Sequence, residues 1–428
     1  MTDSDSLLGP PRGMRDFYPE DLLLRSAIFS AWRQAARQSA FQEYDSCVVE
    51  SLDILKRKGG EEIVDQIYAF SDKSGRALAL RPEMTPTLAR MVSARKGSLQ
   101  FPIKWFTIAQ CFRYERMSKG RKREHYQWNL DIVGDEDVSA EAEVVSTAVA
   151  ALTLMGLSPA DFKIHLNSRA LLADLMTRQG IPPASHAAVF LILDKIAKIE
   201  QSQVLTMLHE TGLDATSMDR ILSIMRVQSL DDVALLLGDV TPAFTQVQRL
   251  FSLFENYGIH DAVKFDIAVV RGLNYYTGVV FEAFDSKHES RAIFGGGRYD
   301  NLLAQFGGGN LTAVGLGFGD VVIADLLAES SKIPTGQASL DTAVGFMTEE
   351  QRTVAISLGA ALRKKGELVD LALRPEKAKA FFARTGRGHI RQAIYVGPDD
   401  VSKATVAIKN LITRAVTEVP INQIAGTP

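Results

Sequence analysis

A run of charged side chains between two apolar segments is the part of the chain best equipped for chemistry. Residues 111–134 place Arg113, Glu115 and Arg121 around a Ser-Lys-Gly step, and the apolar return segment carries Gln127 and Asp131. A solvated charge run is the common alternative, but Arg113 directly follows an apolar segment, which favours a strand end. Arginine binds phosphate oxygens in bidentate fashion. The pattern therefore predicts a site where a nucleoside triphosphate activates a small polar molecule.

A carboxylate and a hydroxyl stand where a predicted strand changes to a predicted helix. Glu83 and Thr85 lie in the segment Leu-Arg-Pro-Glu-Met-Thr-Pro at 80–86. Together they can bind an ammonium group. Thr85 is also a plausible helix cap, with Pro86 at the first helical position. Taken alone, a capped helix with a surface acid is the simpler interpretation.

A second arginine follows the apolar run at 267–270. Burying Arg271 without an anionic partner is costly, and Tyr275 and Tyr276 place one hydroxyl on each side of the chain. A strand end with ordinary amphipathic tyrosines is the alternative. Three glycines at 295–297 permit close approach of the backbone to a ligand or a neighbouring strand. We expect residues 295–299 to form a glycine-rich turn.

The elements that position these residues alternate between strand and helix patterns. Strands are predicted at 43–50, 103–114, 126–133, 263–270 and 279–284, and a hairpin at 66–80. Residues 168–257 have helical periodicity almost throughout, which indicates a helical domain inserted between two parts of one sheet-containing core, 1–167 and 258–329. A linker is predicted at 330–340. Residues 341–428 contain a βαβαβ pattern with parallel strands.

Composition narrows the class of protein. The 428-residue chain has 46% hydrophobic and 23% charged residues and a net charge of −3, which is ordinary for a globular protein of two or three domains and provides no global basic field. Two cysteines at 47 and 111 give neither a metal spacing nor a disulfide framework, which favours a reducing compartment. Neither a signal peptide nor a membrane-spanning run is predicted. We therefore expect a cytoplasmic protein.

Taken together, the motifs resemble those of histidyl-tRNA synthetases, which are class II aminoacyl-tRNA synthetases. The resemblance covers residues 11–324 well and the C-terminal part more faintly. Its signatures are Pro-Arg-Gly-Met-Arg-Asp at 11–16, Arg-Pro-Glu at 81–83, Phe-Arg-Tyr-Glu-Arg at 112–116, Arg-Gly-Leu with two tyrosines at 271–276, and Gly-Gly-Gly-Arg-Tyr-Asp at 295–300. It implies an α/β protein: an antiparallel sheet flanked by helices, a helical insertion and an anticodon-binding-like domain at 341–428.

The resemblance also implies roles for residues, taken one by one. Glu83 and Thr85 hold the α-amino group of histidine. Asp131, with Tyr275 and Tyr276, reads the imidazole. The full set implied to bind histidine is Glu83, Thr85, Arg113, Gln127, Asp131, Arg271, Tyr275 and Tyr276. The implied catalytic residues are Arg113 and Arg271, at the α-phosphate, and ATP is contacted by Arg113, Glu115, Arg121 and His125. ATP and Mg²⁺ are expected, with no metal site built from protein ligands.

Departures from the family bear on function. Class II enzymes usually carry an arginine for the γ-phosphate at a position that aligns with Val322, so this branch is divergent. His125 stands where another aromatic ring usually stacks on adenine. The first hypothesis is histidine–tRNA ligase activity, with L-histidine and tRNA(His) as partners, as a homodimer. Two alternatives remain: a non-catalytic, histidine-binding regulatory subunit of ATP phosphoribosyltransferase, and a tRNA-sensing synthetase-like module.

Overall fold

The computed structural model describes residues 8–58, 66–194, 196, 199–271, 276–287, 291–332 and 340–425. The chain divides into two compact units, Met1–Ile333 and Pro334–Pro428. Within the described residues, no helix has the length and apolar character needed to cross a membrane. The domain boundaries expected inside the first unit stay a prediction.

The first unit opens with a long helix and two groups of strands. Glu20 and Asp21 in the first turn of that helix, and Arg37 in its last, match the helix dipole. The elements are α1 (Pro19–Gln38), β1 (Gln42–Glu43), β2 (Val49–Ser51), α2 (Leu52–Lys58), β3 (Ala69–Ser71), β4 (Ala77–Leu80), α3 (Thr85–Arg95), β5 (Ile103–Phe112), β6 (Glu124–Val133), α4 (Ser139–Leu154) and β7 (Phe162–Ser168). The basic segment is thus the connection of a hairpin made by β5 and β6.

The described residues between Arg169 and Asn256 form six helices. The hydroxyl of Ser168 caps the first by accepting from the Leu171 amide, and Thr241 caps the last. Their apolar faces pack into a separate core. The helices are α5 (Arg169–Arg178), α6 (Pro183–Leu193), α7 (Gln201–Glu210), α8 (Ala215–Ile224), α9 (Leu230–Leu237) and α10 (Pro242–Asn256).

The first unit then returns to strands: β8 (Val263–Phe265), β9 (Val279–Asp285), β10 (Phe294–Arg298) and β11 (Ala313–Gly319), followed by α11 (Asp320–Glu329). The strand predicted at 263–270 ends at Phe265. The glycine-rich turn predicted at 295–299 is wrong, because Gly295 and Gly297 are paired inside β10 with glycines of β11. Because glycine has no side chain, there is room above this part of the sheet for side chains from other segments.

An eight-stranded sheet organises the first unit, in the order β1-β5-β6-β11-β10-β9-β7-β8. All neighbours are antiparallel except the outer pairs β1–β5 and β7–β8. A separate antiparallel sheet, β2-β4-β3, contains the predicted hairpin. The antiparallel sheet flanked by helices agrees with the expected class II fold.

The two faces of the large sheet differ in chemistry. On one face, Trp128 of β6 stacks on Trp32 of α1, with ring centroids 6.0 Å apart, and Phe318 of β11 packs against both. Both tryptophans are fully buried, and each such side chain contributes roughly 1.5–3 kcal/mol of apolar burial. The other face carries the alternate, polar residues of β6. Packing on the apolar face therefore fixes the register of β6, and this register places the polar residues of β6 on the opposite face.

The second unit contains the predicted βαβαβ pattern and two further strands. Its elements are β12 (Leu340–Phe346), α12 (Arg352–Lys364), β13 (Val369–Leu371), α13 (Ala378–Thr385), β14 (Ile390–Val396), α14 (Pro398–Lys403), β15 (Thr405–Asn410), β16 (Val416–Pro420) and α15 (Ile421–Ala425). The strand order is β13-β12-β14-β15-β16. The first three strands are parallel, as expected, and β15 and β16 add an antiparallel edge.

Candidate active site

A cavity of about 390 Å³ lies on the polar face of the large sheet. Most of the residues named from the sequence line it. They come from the β4–α3 connection, the basic hairpin, β6 and the segment before β9. The lining residues are Gln66, Glu83, Thr85, Arg113, Glu115, Arg121, Gln127, Asn129, Asp131, Arg271, Tyr276, Gly295, Tyr299, Gly315, Leu316 and Gly317.

Three polar side chains of β6 form one row of the cavity floor. Gln127, Asn129 and Asp131 alternate along the strand, so they project to the same face. The Gln127 amide nitrogen donates to Oδ1 of Asn129 at 3.0 Å, and a Cβ at Gly317 would lie 2.6 Å from that nitrogen. Asn129 was not among the residues named from the sequence, although the two-residue period of polar side chains would have identified it.

Glycines on β10 and β11 leave space for the charged groups of the site. A Cβ at Gly295 would lie 1.5 Å from Nη1 of Arg271. A Cβ at Gly315 would lie 2.0 Å from Oδ1 of Asp131. Both distances are far inside van der Waals contact, so the two charged side chains lie flat on bare backbone. This explains why glycine occupies a strand interior that it otherwise weakens.

Asp131 is held by a tyrosine that directly follows β10. The Tyr299 hydroxyl donates to Oδ1 of Asp131 at 2.5 Å, and both residues are buried. Tyr44 lies near the same carboxylate: burial raises the pKa of Tyr44 well above its ordinary value, and the charge of Asp131 raises it further. Tyr299 was quoted in a sequence motif but was given no role. Its position immediately after β10 places it beside Asp131.

The β4–α3 connection brings a carboxylate and a hydroxyl to the cavity. Glu83 and Thr85 are largely buried at the start of α3. Thr85 is not the helix cap that the sequence favoured, because Met84 occupies the cap position and makes no side-chain cap bond. Arg113 is tied to this connection, since its Nε donates to the Pro82 carbonyl at 3.0 Å. This hydrogen bond therefore links Arg113 to the connection that carries Glu83 and Thr85, the two residues expected to bind an ammonium group.

The basic hairpin presents its arginines around one carboxylate. Glu115 lies 2.5 Å from Nη1 of Arg121 and 3.9 Å from Nη1 of Arg113. Burial lowers the pKa of Arg121, repulsion from Arg291 and Arg113 lowers it further, and Glu115 opposes them. Two guanidinium groups lie around the one Glu115 carboxylate, and Arg291 adds positive charge near Arg121. The excess positive charge favours an anionic ligand.

Arg271 reaches the cavity from an unusual backbone conformation. Its φ of +54° is in the left-handed region, which costs an L-residue roughly 1–2 kcal/mol. Its Nη1 lies 3.5 Å from Glu282 and 3.4 Å from the Phe281 carbonyl oxygen. The guanidinium carbon is 5.5 Å from the Tyr276 ring centroid. Such strain is concentrated at functional sites, and here it turns the side chain back over β10.

Two further residues named from the sequence have different outcomes. His125 lies on the same face of β6 as Gln127, next to the cavity, and it does not contribute to the lining. Burial, together with repulsion from Arg113, lowers the pKa of His125 from 6.5 to about 3, so the imidazole is neutral at physiological pH. Tyr275 lies outside the described residues.

Two arginines of the sequence motifs hold the fold together. Arg298 is buried and makes two bonds of 2.6 Å to the Glu141 carboxylate. Arg81 is also buried and donates to the carbonyl oxygens of Gln110, at 2.9 Å, and Ser46, at 3.1 Å. Their charges are used internally and do not face the cavity.

The described residues contain no group of three or more His, Cys, Asp or Glu placed to hold a metal ion. Mg²⁺ usually needs only one or two carboxylates together with substrate phosphates. Glu115 lines the cavity among the arginines and has a carboxylate that such an ion can use.

Comparison with known proteins shows the family to which the chain belongs. A family model described as histidyl-tRNA synthetase matches residues 13–319, and one described as an anticodon binding domain matches residues 333–427. The chain belongs to the histidyl-tRNA synthetase family. A histidine–tRNA ligase of Arabidopsis thaliana, named as chloroplastic/mitochondrial, is 41% identical over 404 residues, covering 94% of this chain and 83% of that protein. A histidine–tRNA ligase of Opitutus terrae is 37% identical and covers 96% of both chains.

Solved structures agree on the fold of this histidyl-tRNA synthetase family member. The histidyl-tRNA synthetase of Nostoc sp. superimposes with a TM-score of 0.80 at 22% identity, covering 97% of each chain. A Bacillus halodurans protein described as an ATP phosphoribosyltransferase regulatory subunit/histidyl-tRNA synthetase gives a TM-score of 0.74 at 24% identity, covering 91% of this chain and 98% of that one. Both likenesses show the class II fold, which enzymes and regulatory relatives share.

Proposed function

We propose that the chain activates L-histidine with ATP to form histidyl-adenylate and then transfers the histidyl group to tRNA(His). The observation that carries this proposal is the convergence of two sets of groups on one cavity. Asp131 and Tyr299 provide a polar floor for a small ligand, and Arg113 and Arg271 provide positive charge beside it.

Recognition of histidine would use both ends of the amino acid. Glu83 and Thr85, which line the cavity, bind the α-amino group. Asp131, held by Tyr299, accepts a hydrogen bond from an imidazole nitrogen, with Tyr276 in the same lining. Gln127 completes this part of the floor. A site that pairs with a polar substrate group rejects analogues lacking it by roughly 10⁴–10⁵, which explains selection of histidine within one site.

Activation joins two anions, so it needs positive charge at the reacting atoms. A carboxylate oxygen of histidine forms a bond to the α-phosphorus of ATP, and the bond from that phosphorus to the leaving oxygen breaks, releasing pyrophosphate. Arg113 and Arg271 are the cations placed to hold both anions and to stabilise the charge that develops. Each such preorganised group is worth about 10²–10³ in rate, by analogy with oxyanion-site donors.

ATP itself would lie along the basic hairpin. Arg113 and Arg121 bind its phosphates, and the neutral ring of His125 stacks on adenine. Glu115 orients Arg121 through their 2.5 Å ion pair, and it is the carboxylate placed to meet an Mg²⁺ ion that arrives with the nucleotide. When bound, the ion would neutralise charge on the phosphates.

Transfer to tRNA and assembly extend the proposal. We assign recognition of tRNA(His) in part to the second unit, which the anticodon-binding family model matches, and we place the protein in the cytoplasm. We also propose a homodimer. Val48, Val49 and Phe70 expose 38%, 37% and 44% of their surface on or beside the small sheet, and association would cover these side chains. Sedimentation at micromolar concentration tests it, and a monomer alone would contradict it.

The regulatory and tRNA-sensing alternatives are less well supported. The relatives of Arabidopsis thaliana and Opitutus terrae are named ligases. The chain also matches an anticodon-binding domain, the part whose absence would favour a regulatory subunit. Arg113, Arg121 and Arg271 also line the cavity, which supports adenylate formation.

Histidine-dependent ATP–pyrophosphate exchange, followed by charging of tRNA(His), tests the proposal. We expect both activities in the wild type and a loss of about 10²–10³ in both for Arg271→Ala. The matched control is Arg178→Ala, which removes an exposed arginine of α5 that pairs with Asp239 and should retain both. Histidine binding without exchange would instead identify a regulatory protein. Exchange without charging would contradict the transfer step.

A further inference from the structure

The tip of the basic hairpin packs against the start of α11, where Val322 replaces the arginine expected from the family. A Cβ at Gly120 would lie 3.2 Å from Cγ2 of Val322. Close by, Lys119 forms an ion pair of 2.8 Å with Glu329 at the end of α11. Val322 is buried and apolar, so it cannot attract phosphate. The hairpin tip thus covers the place from which a family arginine would extend.

A different arginine reaches this place from the segment before β10. Cδ of Arg291 lies 3.6 Å from the same point above Gly120. Arg291 is exposed, and within the described part of the chain it forms no ion pair. Its charge is near enough to Arg121 to contribute to the lowered pKa of that group.

Two arginines that repel one another at the edge of a nucleotide cavity are best explained by an anion that neutralises both. Arg121 lines the cavity, and its partner Glu115 carries only one negative charge. The terminal phosphates of a nucleoside triphosphate carry several negative charges and bind arginine through charge-assisted hydrogen bonds.

We propose that Arg291 binds the terminal phosphates of ATP and supplies the positive charge that Val322 lacks. This inference rests on the proposed function and assigns it a further phosphate-binding residue. An arginine at position 322 could then replace the arginine at position 291, since both side chains lie against Gly120 at the hairpin tip.

The experiment compares ATP, pyrophosphate and AMP in wild type and Arg291→Ala. Losing a charge-assisted hydrogen bond weakens binding by roughly 10- to 100-fold. We expect the KM for ATP in pyrophosphate exchange, and the KM for pyrophosphate in the reverse reaction, to rise by about that factor. The KM for histidine and the calorimetric Kd for AMP should stay within about two-fold, because neither ligand carries terminal phosphates.

Lys287→Ala is the matched control, because it removes an exposed cation from the same β9–β10 connection. It should leave every constant at the wild-type value. The inference is overturned if Arg291→Ala keeps the wild-type KM for ATP, if Lys287→Ala raises it equally, or if AMP binding weakens as much as ATP binding. Absence of exchange in the wild type would instead count against the proposed function.

A second variant tests the exchange of positions directly. Adding Val322→Arg to Arg291→Ala should lower the KM for ATP again, toward the wild-type value. A circular dichroism melt confirms first that this double variant is folded. A folded double variant without any recovery would contradict the claim that the two positions serve one phosphate group.

Discussion

The Tyr299 hydroxyl donates a hydrogen bond of 2.5 Å to Oδ1 of Asp131, joining the residue after β10 to the polar face of β6. Tyr299 thereby sets the orientation of the carboxylate proposed to read the imidazole. A residue that acts through another in this way affects histidine binding more than ATP binding.

Removing that hydroxyl provides the first prediction. Tyr299→Phe should raise the KM for histidine about 10- to 100-fold, since a hydrogen bond to a charged group contributes about 1.5–3 kcal/mol. The KM for ATP should change by less than about three-fold. Steady-state pyrophosphate exchange measures both. Tyr257→Phe, which removes a similar bond to Glu143 outside the cavity, should have no effect on either constant.

The bare floor under Arg271 gives a second prediction. Gly295→Ala should abolish most of the exchange activity, because the added methyl group would occupy the space of Nη1 of Arg271, 1.5 Å away. We expect a loss of about 10²–10³ in kcat/KM, comparable to losing the cation itself. Gly97→Ala is the control, since no atom lies within 4 Å of a Cβ there. Equal activity in the two variants would show that Arg271 does not need this space.

Two substitutions at Arg271 distinguish the effect of its side chain on activity from the effect of its left-handed backbone on stability. Arg271→Gly and Arg271→Ala should lose activity equally, by about 10²–10³. Glycine adopts positive φ without cost, whereas alanine does so at roughly 1–2 kcal/mol. The glycine variant should therefore have the higher free energy of unfolding, which urea titration measures. A more stable alanine variant would show that this backbone conformation carries no strain.

His125 predicts a pH dependence of stability. Its pKa is about 3 in the folded protein, against 6.5 ordinarily. A histidine with a depressed pKa stabilises the fold above about pH 6.5, and that contribution is lost as the pH falls toward 3. Its slope reaches at most about 1.4 kcal/mol per pH unit. In urea titrations from pH 7 to 4, His125→Phe should lose less stability than the wild type.

The same position tests stacking on adenine. His125→Phe keeps a ring and should retain the KM for ATP within about three-fold, whereas His125→Ala should raise it by about 10-fold, as expected when an aromatic contact is lost. An unchanged KM in the alanine variant would remove His125 from the nucleotide site.

The sequence predicted the elements of the site better than their contacts. Alternation of apolar and polar residues was enough to identify β5 and β6 and to place Gln127 and Asp131 on one face. The C-terminal parallel strands followed from the same kind of pattern. Each of these depends on neighbours in the chain, which the sequence displays directly.

What the sequence did not predict depends on contacts between distant segments. Gly295 was read as part of a turn, since only the Arg271 side chain, 24 positions earlier, explains a glycine inside β10. Tyr299 acquires its role from Asp131 on another strand, and Arg291 from the hairpin tip. The prediction of Thr85 as the cap is wrong because the helix begins one residue earlier, at Thr85, with Met84 at the cap position.

Arg81 has a mechanical consequence. It ties the carbonyl of Ser46, two residues before the exposed Val48, to the carbonyl of Gln110, three residues before Arg113. One buried side chain therefore links the segment before β2 to the end of β5, the strand that leads to Arg113. In the proposed homodimer, a second subunit covering Val48 would therefore restrain, through Arg81, a strand that leads into the cavity.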